Sequence, residues 1–172
     1  MVGFDDLYRQ GGAVTWQAGK EDVVRQVVDL LMGLGSDARV LDFGCGTGIL
    51  AIIAAKLGAA HVDAIDNEVP AYESTQENAL INHTPAVHSL LGTLENVATD
   101  NYAVILANIN RNVLVAAMPR LREQLASGGT LLLSGILLRD EAKVREATDA
   151  AGFVYHETRT KGDWVALRVS AP

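Results

Sequence analysis

Cysteine is almost missing from this chain: Cys45 is the only one in 172 residues. That excludes an intramolecular disulfide and a clustered-thiolate metal site. The four histidines, His61, His83, His88 and His156, fall in four separate segments without the i,i+4 pairing of a metal-binding helix, and are expected on the surface or in loops. Basic residues are also scarce, 14 against 21 acids, for a net charge of −7. A nucleic-acid backbone is therefore not expected as the main partner, since that mode needs clustered Lys and Arg; a basic protein suits the charge better. No apolar run reaches the roughly 18–20 residues of a membrane helix, and Met1 to Gln10 carries acids instead of a basic-then-apolar leader. The expectation is a soluble, cytoplasmic protein. There is no repeat, low-complexity tract or internal linker.

What remains is the size of one globular domain, 18.3 kDa with 49% hydrophobic residues, large enough to bury a full core. Residues 1–19 are polar and weakly periodic and are read as an arm; residues 20–172 are read as the domain. Val23, Val24, Val27, Val28, Leu30 and Leu31 predict an amphipathic helix from Lys20 to about Met32. Apolar strand runs then alternate with helical ones. The strands are expected at Arg39 to Phe43, His61 to Asp66, Val87 to Leu91, Tyr102 to Asn108, Thr130 to Ile136, Phe153 to Thr158 and Asp163 to Val169. The helices are expected at Ile49 to Leu57, Val69 to Asn82, Arg111 to Leu125 and Asp140 to Ala151, the last three ended by His83-Thr84-Pro85, Ser127-Gly128-Gly129 and Gly152. This alternation implies an α/β fold with a mostly parallel sheet covered by helices on both faces. Only Arg159 to Gly162 separates the last two strands, which is too short for a crossover and predicts a C-terminal antiparallel hairpin. Ligands of such sheets bind beyond the carboxyl ends of the strands.

The first such end is Val40-Leu41-Asp42-Phe43-Gly44-Cys45-Gly46-Thr47-Gly48-Ile49-Leu50. Three alternate glycines let the main chain approach a ligand without a Cβ in the way, and the helix that follows offers free N–H groups to an anion. Two cofactors suit the turn. Gly46-Thr47-Gly48-Ile49-Leu50-Ala51 satisfies the dinucleotide pattern, with Asp66 about 20 residues further on to hold a ribose diol. The apolar-apolar-Asp-apolar-Gly-x-Gly-x-Gly arrangement instead resembles motif I of class I S-adenosylmethionine-dependent methyltransferases, a family that the C-terminal hairpin also fits.

That resemblance implies a Rossmann-like class I methyltransferase fold, with seven strands. The turn, Gly44, Cys45, Gly46, Thr47 and Gly48, would receive the amino-acid end of S-adenosylmethionine, with Asp42 linked to its amino group. Asp66 would accept both ribose hydroxyls through charged bonds worth roughly 1.5–3 kcal/mol each; it could also cap the helix that begins at Val69. Asn67 and Glu68 would flank the adenosine. Gly92-Thr93 stands where such enzymes often put an acid near the adenine, which makes Thr93 a candidate adenine contact.

Ala107-Asn108-Ile109-Asn110-Arg111-Asn112 sets three asparagines at the end of the fourth strand, where burial without partners is costly. They mark a helix cap, by Asn110 or Asn112, or a site. The string Leu106 to Leu114, together with Val40 to Leu50, Leu133-Ser134-Gly135-Ile136 and Trp164-Val165-Ala166-Leu167, resembles the PrmA family over roughly Lys20 to Val169. Members methylate amino groups, lysine ε-amines and an N-terminal α-amine, on a protein of the large ribosomal subunit. The resemblance implies S-adenosylmethionine as cofactor, S-adenosylhomocysteine as product and a protein substrate, possibly ribosomal and basic. It gives Asn108, with Ile109, the methyl-transfer site, and Gly44, Gly46 and Asp66 cofactor contacts. The family's N-terminal substrate-recognition domain finds no counterpart in this sequence, and its Phe-Gly-Thr-Gly-x-His-x-Thr-Thr segment is replaced by Thr15-Trp16-Gln17-Ala18-Gly19-Lys20-Glu21. Trp16 there either lines the cleft or anchors the arm. The alternatives are a cofactor-binding partner subunit without transfer activity and a nicotinamide-dependent oxidoreductase.

Overall fold

The computed structural model describes residues 31, 37–98 and 101–172. The arm expected over 1–19, with Trp16, lies outside those residues. So does the helix expected from Lys20 to Met32, apart from Leu31, which is helical and buried.

Seven strands form one sheet in the order β3-β2-β1-β4-β5-β7-β6. They are β1 (Arg39–Phe43), β2 (His61–Asp66), β3 (Val87–Leu91), β4 (Tyr102–Asn108), β5 (Leu125–Leu137), β6 (Val154–Lys161) and β7 (Trp164–Ser170). The first five run parallel, and β7 lies antiparallel between β5 and β6. Four helices connect them: α1 (Ile49–Lys56), α2 (Val69–Ile81), α3 (Arg111–Gln124) and α4 (Glu141–Ala150). Each ends within a residue of the expected bounds. The chain runs outward from β1 through β2 to β3 and then returns to β4 on the other side of β1, so the topological switch point, where such sheets bind ligands, lies between β1 and β4.

Strand alternation splits the core in two. Leu41, Ile65, Ile105, Leu131 and Leu133 pack on one face against Leu114, Met118 and Leu121 of α3 and Val144 of α4. Val40, Val62, Ala64, Leu106 and Leu132 pack on the other against Leu50, Ala51, Ile53 and Ala54 of α1. Each fully buried aliphatic side chain contributes roughly 1.5–3 kcal/mol, so both faces are required.

Two strand boundaries differ from expectation. β5 starts earlier than the expected Thr130: it begins at Leu125, opposite Tyr102, runs through Ser127-Gly128-Gly129 and resumes at Thr130 opposite Val104 through a register shift. The C-terminal hairpin is longer than its apolar pattern suggests, because Arg159, Thr160 and Lys161 pair with Ala166, Val165 and Trp164. Its turn is Gly162-Asp163, not Arg159 to Gly162, and Gly162 takes the positive φ of 55°. Polar outward residues hid this extension, and one cross-strand bond supports it: Glu157 of β6 accepts from Arg168 of β7 at 2.9 Å, and also from Arg159 of its own strand at 3.1 Å. Of the histidines, three are exposed; His61 is half-buried at the start of β2 and stacks on His88 of β3.

At the end of the sheet opposite the switch point, the Tyr102 hydroxyl donates to Asp63 Oδ2 at 2.6 Å, and His61 Nε2 lies 2.9 Å from Asp63 Oδ1. Tyr102 and Asp63 are both buried, so a donor lost there is not replaced by water. Tyr102→Phe should lower the unfolding free energy by about 1.5–3 kcal/mol; urea denaturation with an unchanged m-value is the measurement that checks it.

Candidate active site

The chain leaves β1 at Phe43 and crosses the end of β2. Gly44 N and Cys45 N both donate to Ile65 O, at 2.9 and 3.2 Å. Gly46 N donates to Asp66 Oδ2 at 3.0 Å, and Glu68 N donates to Asp66 Oδ1 at 3.1 Å. One carboxylate thus fastens the glycine turn to the start of α2. Gly44, Gly46 and Gly48 all have positive φ, 72°, 56° and 75°, and at Gly44 a Cβ would stand 2.6 Å from Ile109 Cδ1. Glycine is required there by backbone and by space.

Behind the turn, Thr75 and Asn78 of α2 hold it in place. Thr75 Oγ1 donates to Gly46 O at 3.1 Å and meets Cys45 Sγ at 3.3 Å, and Asn78 Nδ2 donates to Thr47 O at 2.9 Å. Burial, with Asp42 near by, pushes the Cys45 thiol up to about 12, so it stays protonated at neutral pH. Gly48 begins α1 without a side-chain cap; Asp42, reaching from β1, accepts from Ala51 N at 3.0 Å instead. Asp42 is 1% exposed, and burial first, then the nearby Asp66 charge, raises its carboxyl to about 7 against the backbone bond that lowers it.

On the far side of Asp66, Gly92 N donates to Asp66 O at 2.8 Å. Thr93 begins a short 3₁₀ turn, Leu94–Asn96: its N–H donates to Asn96 Oδ1 at 2.9 Å and its hydroxyl donates to Glu95 Oε2. That hydroxyl holds the Glu95 carboxyl below the usual range. At the end of β4, Asn110 is the N-cap of α3, accepting from Val113 N at 3.2 Å. Asn112 Oδ1 accepts from Arg111, whose Nη1 lies 2.5 Å from Asp140 Oδ1. Asn108 and Ile109 are half-buried between the turn and β5.

These ends enclose a cavity of about 450 Å³. Of the residues expected at the site, Gly44, Asp66, Asn67, Gly92, Thr93 and Ile109 line it. Asp42, Cys45, Gly46, Thr47, Gly48 and Asn108 do not: the first five build or brace the turn around it, and Asn108 lies toward β5. Phe43 and Ile65 form part of the wall, Leu94 and Glu95 another part, and Asn112, Val113, Ala116, Ala117 and Arg120 line it from α3. The α3 residues recur at steps of three and four, one helix face, which is a signal in the sequence. Thr75 and Asn78 gave no such signal.

The Asp42 carboxyl titrates well above its ordinary 3.8 in the folded protein, with Asp66 and Cys45 as the titratable groups around it. Between about pH 4 and pH 7 the folded state keeps a proton that the unfolded state has lost, so this group makes stability fall as pH rises through that window and stay reduced above it. Asp42→Asn keeps an acceptor for Ala51 N and should flatten the dependence, seen as a smaller difference between urea midpoints at pH 4.5 and pH 7.5 than in the parent.

Residues 26–172 match the family described as ribosomal protein L11 methyltransferase (PrmA). A ribosomal protein L11 methyltransferase of Porphyromonas gingivalis is 44% identical over 131 residues, 76% of this chain and 45% of that protein. One of Agathobacter rectalis is 33% identical over 167 residues, 90% of this chain and 52% of that protein. The crystal structure of ribosomal protein L11 methylase from Lactobacillus delbrueckii subsp. bulgaricus superposes with a TM-score of 0.76 at 29% identity, over 87% of this chain and 79% of the other. The chain spans about half the length of the curated relatives it matches. With the glycine turn, Asp66 and the asparagine-bearing end of β4 gathered at one switch point, the chain belongs to the ribosomal protein L11 methyltransferase family, PrmA.

Proposed function

We propose that this chain is the catalytic part of an S-adenosylmethionine-dependent methyltransferase acting on protein amino groups, a lysine ε-amine or an N-terminal α-amine, with a ribosomal, basic protein as substrate. One observation carries the reading: the cavity at the switch point is bounded at once by Gly44, Asp66 and Ile109, so a ligand held by the turn and the acid meets the end of β4. Family membership supports the activity, and the names of the relatives support the substrate.

The site fits the cofactor. At Gly44 there is no space for a Cβ, because Ile109 closes over it, so the main chain itself forms the floor. Asp66 uses one acceptor position on each oxygen for Gly46 N and Glu68 N; a carboxylate offers about four, which leaves two for a ribose diol. Asn67, Gly92 and Thr93 border the adenosine side, with the Val113 to Arg120 face of α3 opposite them. Cys45, Gly46, Thr47 and Gly48 present the turn to the amino-acid end, and Asp42 holds that turn against α1. When bound, the cofactor supplies a methyl group on a sulfonium, whose sulfur keeps the electron pair as the acceptor nitrogen forms the new bond.

The chain must then present a neutral amine. Lysine has a pKa near 10.4 in water, so loss of its proton costs about 4–5 kcal/mol at pH 7. Apolar walls such as Phe43, Ile65 and Ile109 disfavour the charged form. Ile109 on the cavity wall and Asn108 beside it toward β5 are the residues we assign to orient the nitrogen through their carbonyls, without stabilising the cation as a carboxylate would, and the proton leaves to solvent.

Calorimetric titration should give binding of S-adenosylhomocysteine and none of NAD; the reverse result overturns the reading. Asp66→Ala should weaken the S-adenosylhomocysteine complex by more than about a hundredfold, two charged hydrogen bonds being lost. With labelled cofactor and purified large-subunit ribosomal proteins, one protein band should be labelled, and Asn108→Ala should slow that labelling about a hundredfold at unchanged cofactor affinity. Cofactor binding with no labelling would point to a non-catalytic subunit.

A further inference from the structure

Asn108 and Ile109 are carried at the end of β4, where the sheet no longer has regular partners on both sides. On the β1 side, Ile109 closes over Gly44. On the β5 side, Ile109 N donates to Ser134 O at 3.2 Å, one step past the Asn108↔Ser134 pair. There β5 departs from regular geometry: its register with β7 shifts between Leu133 and Ile136, and Gly135, inside that shift, has φ +77°. A Cβ built at Gly135 would stand 3.0 Å from Asn108 Oδ1, 3.0 Å from Ile109 O and 3.1 Å from Ile109 N. The Asn108–Ile109 pair is thus seated between two left-handed glycines, Gly44 on the cofactor turn and Gly135 on the opposite side.

We infer that Gly135 is a positioning residue for methyl transfer, its missing side chain and bulged backbone setting the Asn108 amide and the Ile109 peptide where the acceptor amine arrives. The inference rests on the function proposed above. It assigns to β5 a part in the reaction although Gly135 does not line the cavity. Any L-residue at 135 has two effects: it strains a backbone with positive φ, and it displaces Asn108 or Ile109 by a few tenths of an ångström. The second effect is the one that bears on transfer, because the carbonyls that orient the amine are the atoms displaced.

Gly128 separates the two. It lies on the same strand at φ +70° with nothing within 4 Å of a built Cβ, so Gly128→Ala carries the strain without the displacement. Gly135→Ala should lower kcat about tenfold with the S-adenosylhomocysteine Kd within about twofold of the parent, whereas Gly128→Ala should leave kcat within about twofold. The side-chain amide resonances of Asn108 should shift in Gly135→Ala and stay in place in Gly128→Ala, a readout independent of turnover. In the Asn108→Ala background, Gly135→Ala should cost less than tenfold, only the part that acts through the Ile109 peptide remaining. Should Gly135→Ala fail to fold, Gly135→Asn adds the Cβ with a residue that tolerates left-handed backbone, and the same changes in kcat and in the Asn108 resonances are expected. An equal loss in Gly128→Ala, unmoved Asn108 resonances, or full additivity with Asn108→Ala overturns the inference. A parent protein that labels no acceptor overturns the proposed function instead.

Discussion

The hydrogen bonds that Asp66 accepts from Gly46 N and Glu68 N carry the architecture of the site. A strand end is otherwise a set of unpaired backbone groups, and a glycine-rich turn has high conformational entropy to lose. One carboxylate at the end of β2 satisfies donors from two successive loops, while Ile65 O receives the two N–H groups that precede them. The turn is therefore defined by its neighbour strand and not by its own sequence. Everything further out, the cavity wall, the α2 braces and the seat of Ile109, is placed relative to that crossing.

The same crowding sets the electrostatics. Asp42 and Asp66 flank one turn in different surroundings: Asp42 is sealed in with a single backbone donor, and burial raises its carboxyl to about 7; Asp66 stands half-exposed at the cavity and accepts from two donors. A bound cation at this site would favour the ionised form of Asp42. Cys45, lodged against Thr75, is a packing residue at neutral pH, in keeping with its raised thiol.

Much of this fold is legible in the sequence because its signals are local. Strands buried on both faces read as continuous apolar runs, and His83-Thr84-Pro85 and Gly152 stop helices where they are read. The errors fall where pairing overrides local preference. Arg159 to Lys161 look like a loop and extend a strand, because β7 offers them an edge. Ser127-Gly128-Gly129 follows a helix that ends within a residue of where it is read, but the segment itself lies inside β5 as an irregular step, because that strand pairs with β4 on both sides of it.

The sequence by itself determined the class of fold, the position of the glycine turn, the acid at the end of β2 and the asparagine-rich end of β4, each written as a short pattern of neighbouring residues. Only the tertiary structure decided which of these face one cavity. Asp42 caps α1 from behind, Thr75 and Asn78 brace the turn from a different helix, α3 forms the opposite wall, and Ile109 is seated between Gly44 and Gly135. These contacts join residues from 9 to 31 positions apart in hydrogen bonds such as Asp42 to Ala51 and Asn78 to Thr47. They arise from strand order and close packing, which no local periodicity encodes.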